Sequence, residues 1–165
     1  MTDKEKEFIK NVNIDKARNK IKVTITLTII SLLTYVVPFI FGDFDFGLIF
    51  EIITLVSIFI AKSYMSKYDE IRSKRFIIIA MIPIGWLLIY DLISIFAYVS
   101  NVWDLAILGI DYYLGEILTI LNIMVLYMIN KDLAKADNPI KYKESTDWFY
   151  ERYETKENEV NRNDR

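Results

Sequence analysis

A chain of 165 residues with 53% hydrophobic and 15% aromatic side chains carries more apolar surface than a soluble domain of that size uses in its core. It has no Cys and no His, which excludes thiol redox chemistry, disulfides, thiolate metal sites, an imidazole base and histidine-ligated zinc or haem. The net charge of -2 hides a strong asymmetry in where the charges fall.

Residues 1–20 are charged but carry Phe8, Ile9, Val12 and Ile14, a spacing that predicts a short amphipathic arm on the inner membrane surface. Seven bases against four acids in residues 1–22 favour attraction to anionic lipid.

Four apolar blocks follow. A span needs about 20 apolar residues at a rise of about 1.5 Å per residue, which predicts transmembrane helices at 21–41, 47–65, 76–99 and 112–130. The first has too long an apolar stretch, and no small-residue cleavage site after it, to read as a removable signal peptide.

In span one Thr24, Thr28, Ser31 and Tyr35 share a face. Glu51, Thr54, Ser57 and Ala61 do so in span two, Ala80, Asp91, Ser94 and Tyr98 in span three, and Glu116, Thr119 and Asn122 in span four. Four such stripes converge most economically on the interior of a bundle, where small residues allow close approach and hydroxyls or amides bond across the contact. Trp86 falls in mid-span and is expected to pack between helices, and Pro83 with Gly85 predicts a kink in the third helix.

Asp91 is the sixteenth residue of the third span, about 12 Å from its outer end, where a bare carboxylate costs a few kcal/mol. Three states are open to it: a protonated, hydrogen-bonded carboxyl with Ser94 or Tyr98 in support; a cation site; or a pair with a basic group on a partner. Glu51 and Glu116 lie about one turn inside the outer interface. They either join Asp91 and Asp111 in an outer acidic vestibule or, as the favoured expectation, reach up to water.

Orientation follows from Lys and Arg. All 20 fall in residues 1–22, 62–75 and 131–165, so both termini and the middle connection are expected in the cytoplasm and the two connections without bases outside. Asp43, Asp45, Glu51, Asp91, Asp104, Asp111 and Glu116 then make the outer side purely acidic.

The tail, residues 131–165, breaks at Pro139 and restarts at the candidate N-cap Thr146. An amphipathic helix to about Glu159 would present Trp148, Phe149, Tyr150 and Tyr153, anchors for the membrane surface, the inner helix ends or a partner.

The reading is an all-α integral protein of the cell membrane: a four-helix bundle with short outer loops, a cytoplasmic arm and a cytoplasmic tail. Its surroundings are the lipid bilayer and a membrane partner or further copies of itself. The bases are interspersed with acids and serve topology, so nucleic acid is not an expected partner, and no cofactor or metal is implied.

With no phosphate-binding loop, GxSxG or dinucleotide fingerprint, the leading expectation is a non-enzymatic accessory or regulatory subunit of a larger complex. The alternative is a small oligomeric proton or cation transporter component using the intramembrane carboxylates. In layout the chain also resembles the lipoprotein signal peptidases, which span four times with both ends inside and use two outer aspartates, roles that would fall to Asp91 and Asp111. The Asn-x-Gly and Gly-Asn-x-x-Asp-Arg surroundings of that family are absent. Small multidrug transporters are similar in helix number, but the core of the first span here lacks their Glu.

Overall fold

The computed structural model describes residues 3–40, 42, 46–98 and 110–139, and within them it is all-helical. Four helices, α1 (Asp3–Ile40), α2 (Phe46–Ser66), α3 (Glu70–Tyr98) and α4 (Ile110–Asp137), are each long and apolar enough to cross a membrane. They pack in a ring, α1 against α2 and α4, and α3 against the same two.

α1 differs from the expected arm-plus-span. It is one continuous helix of 38 residues, because no Gly or Pro interrupts the chain between Asp3 and Val37. The apolar side chains of the arm, Ile14 and Ala17 with Ile21 above them, are buried in one cluster with Leu133 and Ala136 of α4. They pack against the C-terminal end of α4, while Phe8 of the same arm is exposed. α1 closes at Gly42, whose φ of 96° is one that L side chains rarely adopt and whose N–H donates to the Phe39 carbonyl at 3.1 Å.

The middle connection is tighter than the expected 66–75, since both flanking helices run on into it and leave only residues 67–69. Tyr68 takes a left-handed φ of 54°. The Tyr68 N–H donates to Met65 O and the Asp69 N–H to Tyr64 O, both at 3.1 Å, which is a Schellman closure of α2. Asp69 then caps α3 by accepting the Arg72 N–H at 3.0 Å. The Arg72 guanidinium lies 5.5 Å from the Tyr64 ring, which stacks on Phe76.

The end of the bundle that carries the α2–α3 turn is laced by ion pairs between helices. Lys10 of α1 meets Glu70 of α3 at 2.6 Å, Lys20 of α1 meets Asp132 of α4 at 2.5 Å, and Lys74 of α3 meets Asp137 of α4 at 3.1 Å. Asp132 is only 7% exposed, so its pair is better shielded than a surface one.

Around the outside runs a belt of exposed aliphatic side chains, among them Ile29, Leu33, Ile52, Val56, Ile82, Ile89, Ile117 and Met124. Trp86 belongs to this belt. It is 62% exposed, which corrects the expectation that it packs between helices. The inward face of α3 is set by Ile77, Ala80, Ile84 and Leu87 at steps of three and four, and Trp86 points away from it. α3 continues through Pro83, where the ring leaves the Ile79 carbonyl without its usual donor. Beside it, Thr54 Oγ1 of α2 donates to the Ala80 carbonyl at 3.4 Å.

Candidate functional site

The polar stripes of α1, α2 and α4 meet inside the ring. Thr24, Thr28 and Ser31 from α1, Glu51, Thr54 and Ser57 from α2, and Thr119 and Asn122 from α4 are all buried. Each pair is placed by helical spacing of three or four residues, so a single rotation of each helix turns its whole polar stripe inward.

Two side-chain bonds tie the helices here. Ser31 Oγ donates to Glu51 Oε1 at 2.7 Å, joining α1 to α2, and Asn122 Nδ2 donates to Thr28 Oγ1 at 2.8 Å, joining α4 to α1. Thr28 Oγ1 passes its own proton to the Thr24 carbonyl at 2.9 Å, so the amide, the hydroxyl and the backbone form a directed chain. Ser57 Oγ bonds back to Ile53 O at 2.8 Å and takes no part in it.

Glu51 is the unexpected member. Its side chain is 0% exposed and turns into the bundle, not up to water as the favoured expectation had it. α2 places it five residues past Phe46 on the same face as Thr54 and Ala61, and Ser31 stands opposite to receive it. Its second oxygen, Oε2, is buried without a hydrogen-bond partner, as are Asn122 Oδ1 and Thr24 Oγ1. An unmet buried acceptor costs about 1–3 kcal/mol, so these three atoms are a cost that the polar interior carries.

No family model, curated protein or solved structure matches this chain.

Glu116 is half-buried near the start of α4, while Thr119 and Asn122 lie one and two turns further in. α3 and α4 carry the backbones of Asp91, Ser94, Tyr98 and Asp111 as helix, and the side chains of these four lie outside the described residues. So do the tail residues Trp148, Phe149, Tyr150 and Tyr153. Among the described residues no three acidic side chains converge as a metal site.

Towards the basic end the interior changes character. Directly below the polar cluster, Ile21, Ile58, Met65, Ile77, Leu126 and Ile129 are all fully buried and packed in one aliphatic cluster. Ile58 is seven residues past Glu51 along α2, about 10 Å at the helical rise. On that side the polar cluster is bordered by this aliphatic layer, with the buried Asn130 Oδ1 of α4 next to Ile129 in the chain. Sequence reasoning had found the stripes but not this layer, which is signalled by the apolar continuation of the same faces: Ile21 below Thr24, Ile58 and Met65 below Thr54, Leu126 and Ile129 below Asn122.

Proposed function

We propose that this chain is a multi-pass integral protein of the cell membrane, with both termini and the α2–α3 turn in the cytoplasm. It works as a non-enzymatic accessory or regulatory subunit of a larger membrane complex. The belt of exposed aliphatic side chains suits a lipid solvent, where helix association comes from close packing and interhelical hydrogen bonds and no longer from the hydrophobic effect. The basic end, with Lys10, Lys20 and Lys74 in interhelical ion pairs, suits the cytoplasmic side.

The observation that carries the choice of role is the aliphatic layer of Ile21, Ile58, Ile77, Leu126 and Ile129 beneath the polar cluster. A four-helix unit whose interior is filled by aliphatic side chains at this level offers few groups to carry an ion past it. Such a body supports holding or modulating a partner more readily than passing ions by itself. The test is gentle detergent extraction of tagged wild-type and Asp91→Asn protein from native membranes, followed by mass spectrometry of what co-purifies. A stoichiometric partner that Asp91→Asn weakens supports the reading; protein that emerges alone or only with itself overturns it.

One observation favours a second reading, proton or cation handling by an oligomer. Glu51 is a buried carboxyl with one oxygen unengaged, and intramembrane carboxyls are costly features that often mark ion pathways. Proton or cation flux in reconstituted vesicles, abolished by Glu51→Gln, would select it.

A further inference from the structure

We propose that the cleft between the inner halves of α1 and α2 binds the headgroup phosphate of an anionic phospholipid, whose acyl chains lie along the same two helices. The inference rests on the membrane reading above and adds a specific ligand site to it.

The cleft, about 430 Å³, is lined by Asp15, Arg18, Asn19 and Lys22 of α1 and by Lys62 and Ser66 of α2. The four α1 residues fall at steps of three, one and three, which places them on one helical face. Lys62 and Ser66 are one turn apart on α2. The two helices are antiparallel, with Ser31 opposite Glu51 and Tyr35 against Gly47, and continuing that register inward sets Lys22 opposite residue 60, within a helical turn of Lys62.

Three cations therefore face a single carboxylate. That carboxylate is already engaged, since Arg18 Nη1 holds Asp15 Oδ1 at 3.1 Å. Neither Lys22 nor Lys62 has a carboxylate partner among the described residues, in contrast to Lys10, Lys20 and Lys74 on the other seams of the bundle. Two ammonium groups that line one cleft repel each other, and an anion between them converts that repulsion into attraction. The remaining polar groups, the Asn19 amide and the Ser66 hydroxyl, can donate to phosphate oxygens. Ser66 Oγ bonds the Lys62 carbonyl at 3.1 Å and is free to turn on an exposed site.

Position separates a lipid from a free anion. Lys22 stands where α1 passes from charged to apolar sequence, and Lys62 where α2 does so in reverse. On the apolar side of the cleft the same faces continue as exposed Ile29 and Leu33 on α1 and exposed Phe59 and Ile52 on α2. A ligand that fills both parts has an anionic head and long hydrocarbon tails. Basic pockets between helices on the cytoplasmic side are the sites where anionic lipid heads are held.

The experiment begins with alkaline carbonate extraction of membranes carrying the full chain, which tests the membrane reading alone. Retained protein is then purified and titrated with phosphatidylglycerol or phosphatidylcholine, with lipid adducts counted by native mass spectrometry. Phosphatidylglycerol should bind at least about tenfold tighter. Each cation near an anionic surface contributes enough for about a fivefold change in affinity, so Lys62→Gln should lose about fivefold and Lys22→Gln with Lys62→Gln about thirtyfold. Lys62→Arg should retain binding and report that the site still folds. Lys131→Gln, the same charge change at an exposed site on α4, should leave affinity unchanged.

Equal losses in Lys131→Gln and Lys62→Gln would overturn the site in favour of diffuse charge attraction. Equal affinity for the two lipids would overturn it outright. Displacement of the lipid by millimolar inorganic phosphate would overturn the lipid in favour of a free anion. Release of the protein by carbonate would fail the membrane reading instead, and is distinguishable from all three.

Discussion

Gly47 of α2 packs against the Tyr35 ring of α1, and Gly47→Ala tests how tight that approach is. A Cβ on residue 47 would lie 2.4 Å from Cε1 and 2.8 Å from Cζ of the Tyr35 ring. Carbon atoms rest about 3.5–4.0 Å apart, so the ring or the helix must yield by about 1 Å. Overpacking of that kind costs about 1–3 kcal/mol, and replacing a helical Gly returns about 0.5–1 kcal/mol of backbone entropy. The net expectation is a loss of about 0.5–2 kcal/mol, read from reversible unfolding in mixed micelles by helical circular dichroism. In a Tyr35→Ala background the obstruction is gone, so Gly47→Ala should become neutral or stabilising. An identical cost in both backgrounds would show that Tyr35 and Gly47 are not in contact and that the α1–α2 register is wrong.

Other expectations follow from the same contacts. A double-mutant cycle on Thr28→Val and Asn122→Ala should give a coupling of about 0.6 kcal/mol, and no more than about 1.7, typical of hydrogen bonds between membrane helices; additivity would remove the bond of 2.8 Å. Lys20→Gln, which strips the buried Asp132 of its partner, should cost about 1–3 kcal/mol, whereas Lys6→Gln at an exposed pair should stay within about 0.5 kcal/mol in the same unfolding assay. Burial holds the Lys16 ammonium below its ordinary pKa of 10.5, with Asp132 opposing the shift. The folded protein then releases this proton before the unfolded chain does, so stability from this group rises as pH climbs towards 10.5. Relative to Lys16→Met, wild type should gain with pH over that window, and the opposite slope would refute the burial argument. Deletion of residues 146–165 should spare membrane insertion and weaken any complex, read by fractionation and co-purification; loss of insertion would reassign the tail.

Spacing made the interior stripes legible, since Thr24–Thr28–Ser31, Glu51–Thr54–Ser57 and Thr119–Asn122 each recur with the helical period and each is buried. The inward turn of Glu51 is not legible, because distance from a helix end says nothing about rotation and its partner Ser31 is fixed by the pairing of two helices, a relation between distant residues. The inward side of α3 could have been found from Ala80, Ile84 and Leu87, and doing so would have turned Trp86 outward. Continuity of α1 was hidden by treating charged and apolar halves as separate elements, although no breaker lies between them. At the α2–α3 turn, Asp69 before Glu70 is a readable cap, but Tyr68 in a left-handed conformation replaces the Gly that usually announces such a closure.

That closure has a mechanical consequence. Three residues, each fixed by the Schellman bonds or the Asp69 cap, leave no slack between α2 and α3. Sliding one against the other by a helical turn, about 5.4 Å, would require the turn to melt. A rearrangement that keeps this turn intact has to move α2 and α3 together, as one lever, along the seams they share with α1 and α4. One of those seams is held by Ser31 and Glu51 at one end and bordered at the other by the cleft that Lys22 and Lys62 line. Whatever occupies the basic end of that seam would bias how the lever sits against α1.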